Sequence, residues 1–224
     1  MDTPIAVICK ESAAVVREGV LRYLEKVQYP AKLITIFASS ENYAIEYKKV
    51  LPSVLFNSIV VGNPSDYYKE GEVIVQVSET LKDIVSNLLT FNQIILYAKE
   101  LLQKEQASLF GVLPTIETKY HSNTYSTELS MIPELFIVVK NDKSIVLSTS
   151  KKSDHERCIL HFLKRGKVIR YKGAGVDYKT KNCSKSIEEM SLINKKYPDY
   201  TLLGRLSGIP ELFLHPLPPG QGNC

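Results

Sequence analysis

A doubly wound, mostly parallel α/β sheet closed by a long helix, followed by a smaller α+β domain, is the architecture this sequence predicts. Three observations carry it. Near-continuous apolar runs of strand length alternate with helical periods over residues 1 to about 106, as parallel strands covered on both faces require. The longest helical pattern follows, from Ser78 to Gln106, with Leu81, Ile84, Val85, Leu88, Ile95, Ala98 and Leu102 at three- and four-residue steps. Beyond Gly111 the texture changes, and lysine and arginine come to dominate the charge.

Pro4 to Cys9 is the first strand-length run, and Lys10-Glu11-Ser12 leads out of it. Ala13, Val16, Val20, Tyr23, Leu24 and Val27 then share one helical face, with Glu18, Arg22, Glu25 and Lys26 opposite. Pro30 ends that helix, and Lys32 to Ala38, rich in β-branched residues, reads as the second strand. Ser39 or Ser40 caps a helix through Asn42 to Val50, stopped by Pro52. Val54 to Val61 and Glu72 to Val77 are the third and fourth strands, separated by the turn cluster Gly62-Asn63-Pro64-Ser65-Asp66. Ile94, Leu96 and Leu101 widen the apolar arc of the 78–106 helix, which therefore packs on more than one side and closes a first domain over 1–110.

Residues 111–130, with Pro114 and the hydroxyl-rich stretch from Tyr120 to Ser126, read as a connector. A basic domain follows over 131–214. Glu134 to Lys140 and Ser144 to Ser148 pattern as a β-hairpin about Asn141-Asp142-Lys143. Ser153 caps a helix from Asp154 to Arg165 that Gly166 ends, and Lys167 to Tyr171 is a strand running into Gly173-Ala174-Gly175. Ser186 to Tyr197 is a helix with Glu188 and Glu189 first and Lys195 and Lys196 last, as the macrodipole prefers. Tyr200 to Leu206 and Glu211 to Leu214 are final strands. The tail over 215–224 holds Pro216-Leu217-Pro218-Pro219, a minimal polyproline signal, and cannot be helix or central strand.

With 224 residues and 44% hydrophobic side chains, the chain can bury a sizeable core. No apolar run approaches the roughly 18 residues a membrane span needs, and Asp2 leads straight into a strand, so neither anchor nor signal peptide is expected and no membrane partner. Cys9, Cys158, Cys183 and Cys224 are scattered, with no zinc or disulfide spacing, which fits a reducing, cytoplasmic or nuclear setting. Asn182-Cys183-Ser184 matches a glycosylation pattern, but without a secretory signal it carries no weight.

The carboxyl end of the first strand is where a doubly wound sheet holds anions. Here it reads Cys9-Lys10-Glu11-Ser12-Ala13, without the glycines of a dinucleotide fingerprint or a phosphate loop, so no cofactor is expected. Lys10 and Ser12 remain as anion ligands of a crevice, against the plainer reading of a salt-bridged turn. Asp154, Cys158, His161 and Arg165 share one helical face, so Cys158 and His161 are candidates for nucleophilic or proton-transfer chemistry. Ile159, Leu160, Phe162 and Leu163 opposite make that row look solvated, and His155 points away from it, so no metal is expected.

Charge segregation is the strongest signal. From Lys140 to Lys185 basic residues far outnumber acids, in a chain whose net charge is only +4. Lys164, Arg165, Lys167, Arg170, Lys172, Lys179 and Lys181, with Tyr171 and Tyr178 as stacking platforms, make a candidate surface for an anionic partner. The expectation is a non-enzymatic interaction protein or complex subunit that binds an acidic protein surface or nucleic acid there. The alternative is an enzyme acting on a phosphorylated or nucleic-acid substrate through His161 or Cys158.

Overall fold

The computed structural model describes residues 2–149, 152–177, 187–206 and 209–215. Tyr178, Lys179, Lys181 and the 216–219 polyproline signal lie outside them. Among the described residues no helix is long and apolar enough to cross a membrane.

The first half folds as its periodicity dictates. Strand β1 (Ile5–Cys9) leads into a helix built of α1 (Ala13–Val16), a π-helical stretch (Arg17–Leu21) and α2 (Arg22–Lys26). β2 (Ile34–Ala38) precedes α3 (Glu41–Val50), whose cap is Ser40, its hydroxyl accepting from the Tyr43 N–H. β3 (Ser58–Val61) is shorter than its apolar run, because Ser53–Leu55 after Pro52 turns into a 3-10 helix. A one-turn helix, α4 (Pro64–Tyr67), capped by Asn63, replaces the expected open turn before β4 (Val73–Ser78).

The expected 78–106 helix is two things. Ser78 stays in the sheet, its N–H donating to the Leu135 carbonyl, and β5 (Ile84–Ser86) is a strand. The helix proper, α5 (Phe91–Lys104), starts at Thr90, where the Thr90 hydroxyl and the Gln93 side chain form a reciprocal capping box. Leu81, Ile84, Val85 and Leu88 matched a helical period by coincidence.

Residues 109–176 extend the same sheet instead of building a second one. β6 (Leu109–Leu113), β7 (Tyr125–Ser126), β8 (Phe136–Lys140) and β9 (Ile169–Val176) complete a nine-stranded sheet in the order β3-β2-β1-β4-β8-β6-β9-β5, with β7 beside β9. β8 sits at its centre, antiparallel to β4 and β6, because Phe136 to Val139 are all buried and need cover on both faces. Residues 144–148 form no strand, so the expected hairpin is absent; Asp142 accepts from the Ser144 N–H and hydroxyl and turns the chain away. α6 (Ser153–Arg165) ends at Gly166 in the left-handed region, as expected. Among the described residues, only β10 (Thr201–Leu206) and β11 (Ile209–Leu214), beside α7 (Ile187–Lys196), make a separate two-stranded sheet.

Strand alternation divides the core in two. Ile5, Val7, Val75, Val77, Phe110, Phe136 and Tyr171 face α1, α3 and α5, while Ala6, Phe37, Ile74, Leu109 and Ile137 face α6 and α7. β1 to β4, β6 and β9 all run in one direction, so their carboxyl ends line one edge.

Candidate active-site crevice

From β1 the chain steps outward through β2 to β3, then returns to place β4 on the other side of β1. The β1/β4 boundary is thus a topological switch point, and the crevice outside its carboxyl ends is where such sheets hold ligands. Lys10 to Ser12 follow β1, Ser39 and Ser40 follow β2, and Glu79 and Thr80 follow β4. Glu134, just before β8, and the first turn of α6 close the far side, because the Ser153 hydroxyl donates to Glu134 Oε2 at 2.9 Å.

Glu79 is the most constrained residue here. Its N–H donates to the Ile8 carbonyl and its own carbonyl accepts from the Val20 N–H at 3.3 Å. That second bond exists because the π-helical stretch bulges at Gly19 (φ −91°, ψ −105°) and brings the helix against the loop. A Cβ on Gly19 would stand 2.4 Å from the Glu79 carbonyl oxygen, so only glycine fits. The Glu79 side chain is buried, at 7% exposure, and no other described residue hydrogen-bonds or ion-pairs with its carboxyl. Burial first, then the charges of Glu11 and Glu134, raises its pKa above the ordinary carboxylate value, against the pull of Lys10. On either side of it the Ser78 and Thr80 hydroxyls bond each other at 3.1 Å.

Lys10 and Ser12, after β1, are exposed. The first N–H of α1, on Ala13, is already taken by Glu46 at 2.8 Å, so it does not point at a ligand. At the α6 end, Glu134 is half-exposed, with Arg157 3.9 Å away. Asp154 is buried; its Oδ1 accepts from the His155 N–H and lies 2.8 Å from His155 Nδ1, while His155 Nε2–H donates to the Leu212 carbonyl at 3.0 Å. Among the described residues no group of three or more His, Cys, Asp or Glu side chains is arranged to hold a metal ion.

The row Asp154, Cys158, His161 is packed on the sheet, not solvated, and Leu163 is the exposed one. Cys158 Sγ accepts from the Ile132 N–H, and burial pushes its thiol up to about 12. His161 Nδ1 bonds the Ser108 hydroxyl at 2.7 Å, and burial, with Arg157 next, lowers its pKa to about 3. Ser108 precedes β6, so His161 lies at the amino edge of the sheet, away from the crevice. Cys158 and His161 each have a partner of their own and neither reaches the switch point.

Of the basic stretch, two described cations have acid partners. Lys164 pairs with Asp142 and Lys167 with Glu105, while Arg165 is exposed. Tyr171 is fully buried, with Tyr97 edge-on and Phe110 stacked against it, because β9 turns alternate residues to opposite faces; it is no platform for bases. Arg170, on the other face, is half-buried, and Lys172 pairs through its backbone with Thr124 and Ser122. Gly173 and Gly175 admit the Tyr171 hydroxyl and the Thr115 carbonyl, not a phosphate. The sequence reasoning missed Glu79, hidden inside the supposed helix, and Glu134, which only the cross-sheet position of β8 brings near.

No protein-family model matches the chain, and no curated protein sequence does. Solved structures do. S. aureus TarS 1–349 is similar over 88% of this chain and 65% of its own, with 12% identity and a TM-score of 0.50. The same fragment in complex with UDP is similar over the same shares at 11% identity and a TM-score of 0.50, and S. aureus TarS is similar over 88% of this chain and 39% of its own. The chain thus spans less than two thirds of the length of these structures. At such identity the likeness is one of fold alone. These neighbours overturn the expectation of a non-enzymatic interaction protein or complex subunit for nucleic acid or acidic proteins, and fit the enzyme alternative.

Proposed function

We propose that this chain is a glycosyltransferase domain that takes a nucleotide-activated sugar at the β1/β4 crevice. One observation carries the reading: a chain whose sheet has a switch-point crevice is similar in fold, over 88% of its length, to a structure of S. aureus TarS determined in complex with UDP. A likeness confined to fold says where a ligand sits, and the residues there say what they can do with it.

In such a transfer the bond between the sugar's anomeric carbon and the diphosphate oxygen breaks, and a bond to an acceptor hydroxyl oxygen forms. The nucleoside diphosphate leaves with the electron pair, and the hydroxyl proton passes to a base. Lys10 and Ser12 at the mouth offer a cation and a hydroxyl to the leaving phosphates. Across the crevice, Glu134 is the half-exposed carboxylate able to take the hydroxyl proton, with the Asp154–His155 pair one helical position behind Ser153. His161 and Cys158 have no part in this chemistry.

Calorimetric titration with UDP, followed by UDP release from a panel of UDP-sugars, tests the reading. Saturable binding that Lys10→Glu weakens at least about tenfold, roughly 1.4 kcal/mol, supports it. Absence of saturable binding up to about 1 mM, where the binding energy has fallen to roughly 4 kcal/mol, sinks it.

A further inference from the structure

β3 is the outermost strand at one end of the nine-stranded sheet, and its outer side has no partner among the described residues. We propose that β3 is the contact between two copies of this chain, paired antiparallel across a twofold axis so that the two sheets run on as one.

The backbone of this edge is complementary to itself. β3 pairs with β2 in parallel, Ile59 beside Ile36 and Val60 beside Phe37, and the Gly62 N–H donates to the Ala38 carbonyl at 3.3 Å. Hydrogen-bonding direction alternates along a strand, so Ser58 and Val60 share the inward direction of Gly62, while Ile59 and Val61 turn their N–H and C=O groups outward. An antiparallel second copy offers the same groups from the same two residues. When Ile59 of one copy stands opposite Val61 of the other, each outward N–H meets an outward C=O, and Val60 lies beside its own counterpart at the axis.

The side chains favour a second copy over a charged partner. Edge strands that stay single carry lysines, prolines or bulges that keep other strands off. Within β3 none of these occurs: its register on β2 is unbroken, and from Val50 to Ser65 no side chain is charged. A twofold axis brings identical residues together, so a surface that meets itself must be free of like charge near the axis. The first charges on either side are Lys49, in the last turn of α3 before β3, and Asp66, in α4 after it. They are unlike in sign, and an antiparallel pairing brings the one toward the other. Val50, Val54 and Val61 are exposed on this stretch, Val54 by 78%, and their burial adds to a pairing that a few hydrogen bonds alone would leave weak.

Gel filtration coupled to light scattering, run on the full chain from about 1 to 100 µM, reads the mass directly. At the upper concentration the wild type is expected to approach twice the chain's 25.2 kDa. Val61→Pro deletes an outward N–H and no bond to β2, and Val61→Lys keeps the backbone but sets a lysine from each copy near the axis. Each is expected to return the mass to that of one chain with an unchanged circular dichroism spectrum. Leu88→Lys, at an exposed leucine elsewhere, is expected to leave the larger species intact. A wild type that stays at 25.2 kDa throughout overturns the proposal and leaves the edge to an extended segment of another protein. A larger species that persists in both folded Val61 variants overturns it too, because the copies then meet elsewhere.

Discussion

The two ends of α6 are dressed in similar residue types and do different things. At its first turn Ser153 and Asp154 meet Glu134 and His155 beside a crevice that also holds Lys10 and Glu79. Further along, Cys158, His161 and Lys164 bond to Ile132, Ser108 and Asp142. The polar groups of the second region are satisfied by partners on other elements, whereas in the crevice no other described residue pairs with the Lys10 ammonium or the Glu79 carboxyl. Burying polar groups with partners specifies a fold; keeping some without partners costs stability and is tolerated where a ligand will use them.

The sharpest way to break that contrast is to remove a satisfied group. Glu156, wholly buried, accepts from the Ser148 and Thr149 N–H groups and hydroxyls and meets Lys196 at 2.9 Å. Glu156→Ala leaves these donors stranded, and the expected loss is roughly 3–5 kcal/mol, read as a lowered denaturation midpoint. Burial works against the charged form, yet Ser148 and Lys196 hold the folded pKa below the ordinary value of 4.5. A depressed pKa means the contribution is complete above that value and is lost as pH falls through the folded pKa, so the wild type should converge on the variant in acid.

Gly19→Ala comes next. The new methyl would collide with the Glu79 carbonyl oxygen, which is backbone and cannot swing away, so the π bulge must shift. We expect a loss of about 1–3 kcal/mol together with weakened UDP binding, because the β4 loop loses its anchor. A stability loss with unchanged binding would separate the bulge from the crevice.

The same contrast explains what could be read from the chain. The run β1, helix, β2, α3, β3, β4 was legible because each strand is nearly continuously apolar and the breaks carry a proline, serine cap or turn cluster. The β4-to-α5 passage was not, since Leu81, Ile84, Val85 and Leu88 fit a helical period while the real start is the Thr90–Gln93 box. Lys10 and Ser12 could be put forward as candidates by the switch-point rule, which needs only strand order. Glu79 required knowing that β4 stops at Ser78, and Glu134 required knowing that β8 lies next to β4. The count of basic residues from Lys140 to Lys185 leaves out an acid that the fold brings beside them, Glu105 against Lys167.

Cys158→Ala and His161→Gln probe the satisfied region where it imitates chemistry. Both should cost stability on the order of 1–2 kcal/mol, through lost packing and a stranded Ser108 hydroxyl, and both should leave UDP affinity and any UDP-sugar turnover per folded molecule unchanged. A turnover loss beyond the folded fraction would place His161 or Cys158 back in the reaction.

The smallest effect should come from the surface partner of Asp142. Lys164 is itself partly exposed, so Lys164→Ala is expected to cost no more than about 1 kcal/mol and to leave UDP binding alone. Burial opposes ionisation of Asp142, but Lys164 and the Ser144 hydroxyl and N–H overcome it and hold the carboxyl at about 2, below its ordinary 3.8. The stabilisation is therefore complete above about pH 4 and fades as pH drops toward 2, and Lys164→Ala should flatten the melting curve's dependence on pH across that window. If the slope is unchanged, Ser144 and not Lys164 holds the charge, and the loop that turns away after β8 owes its course to a hydroxyl cap alone.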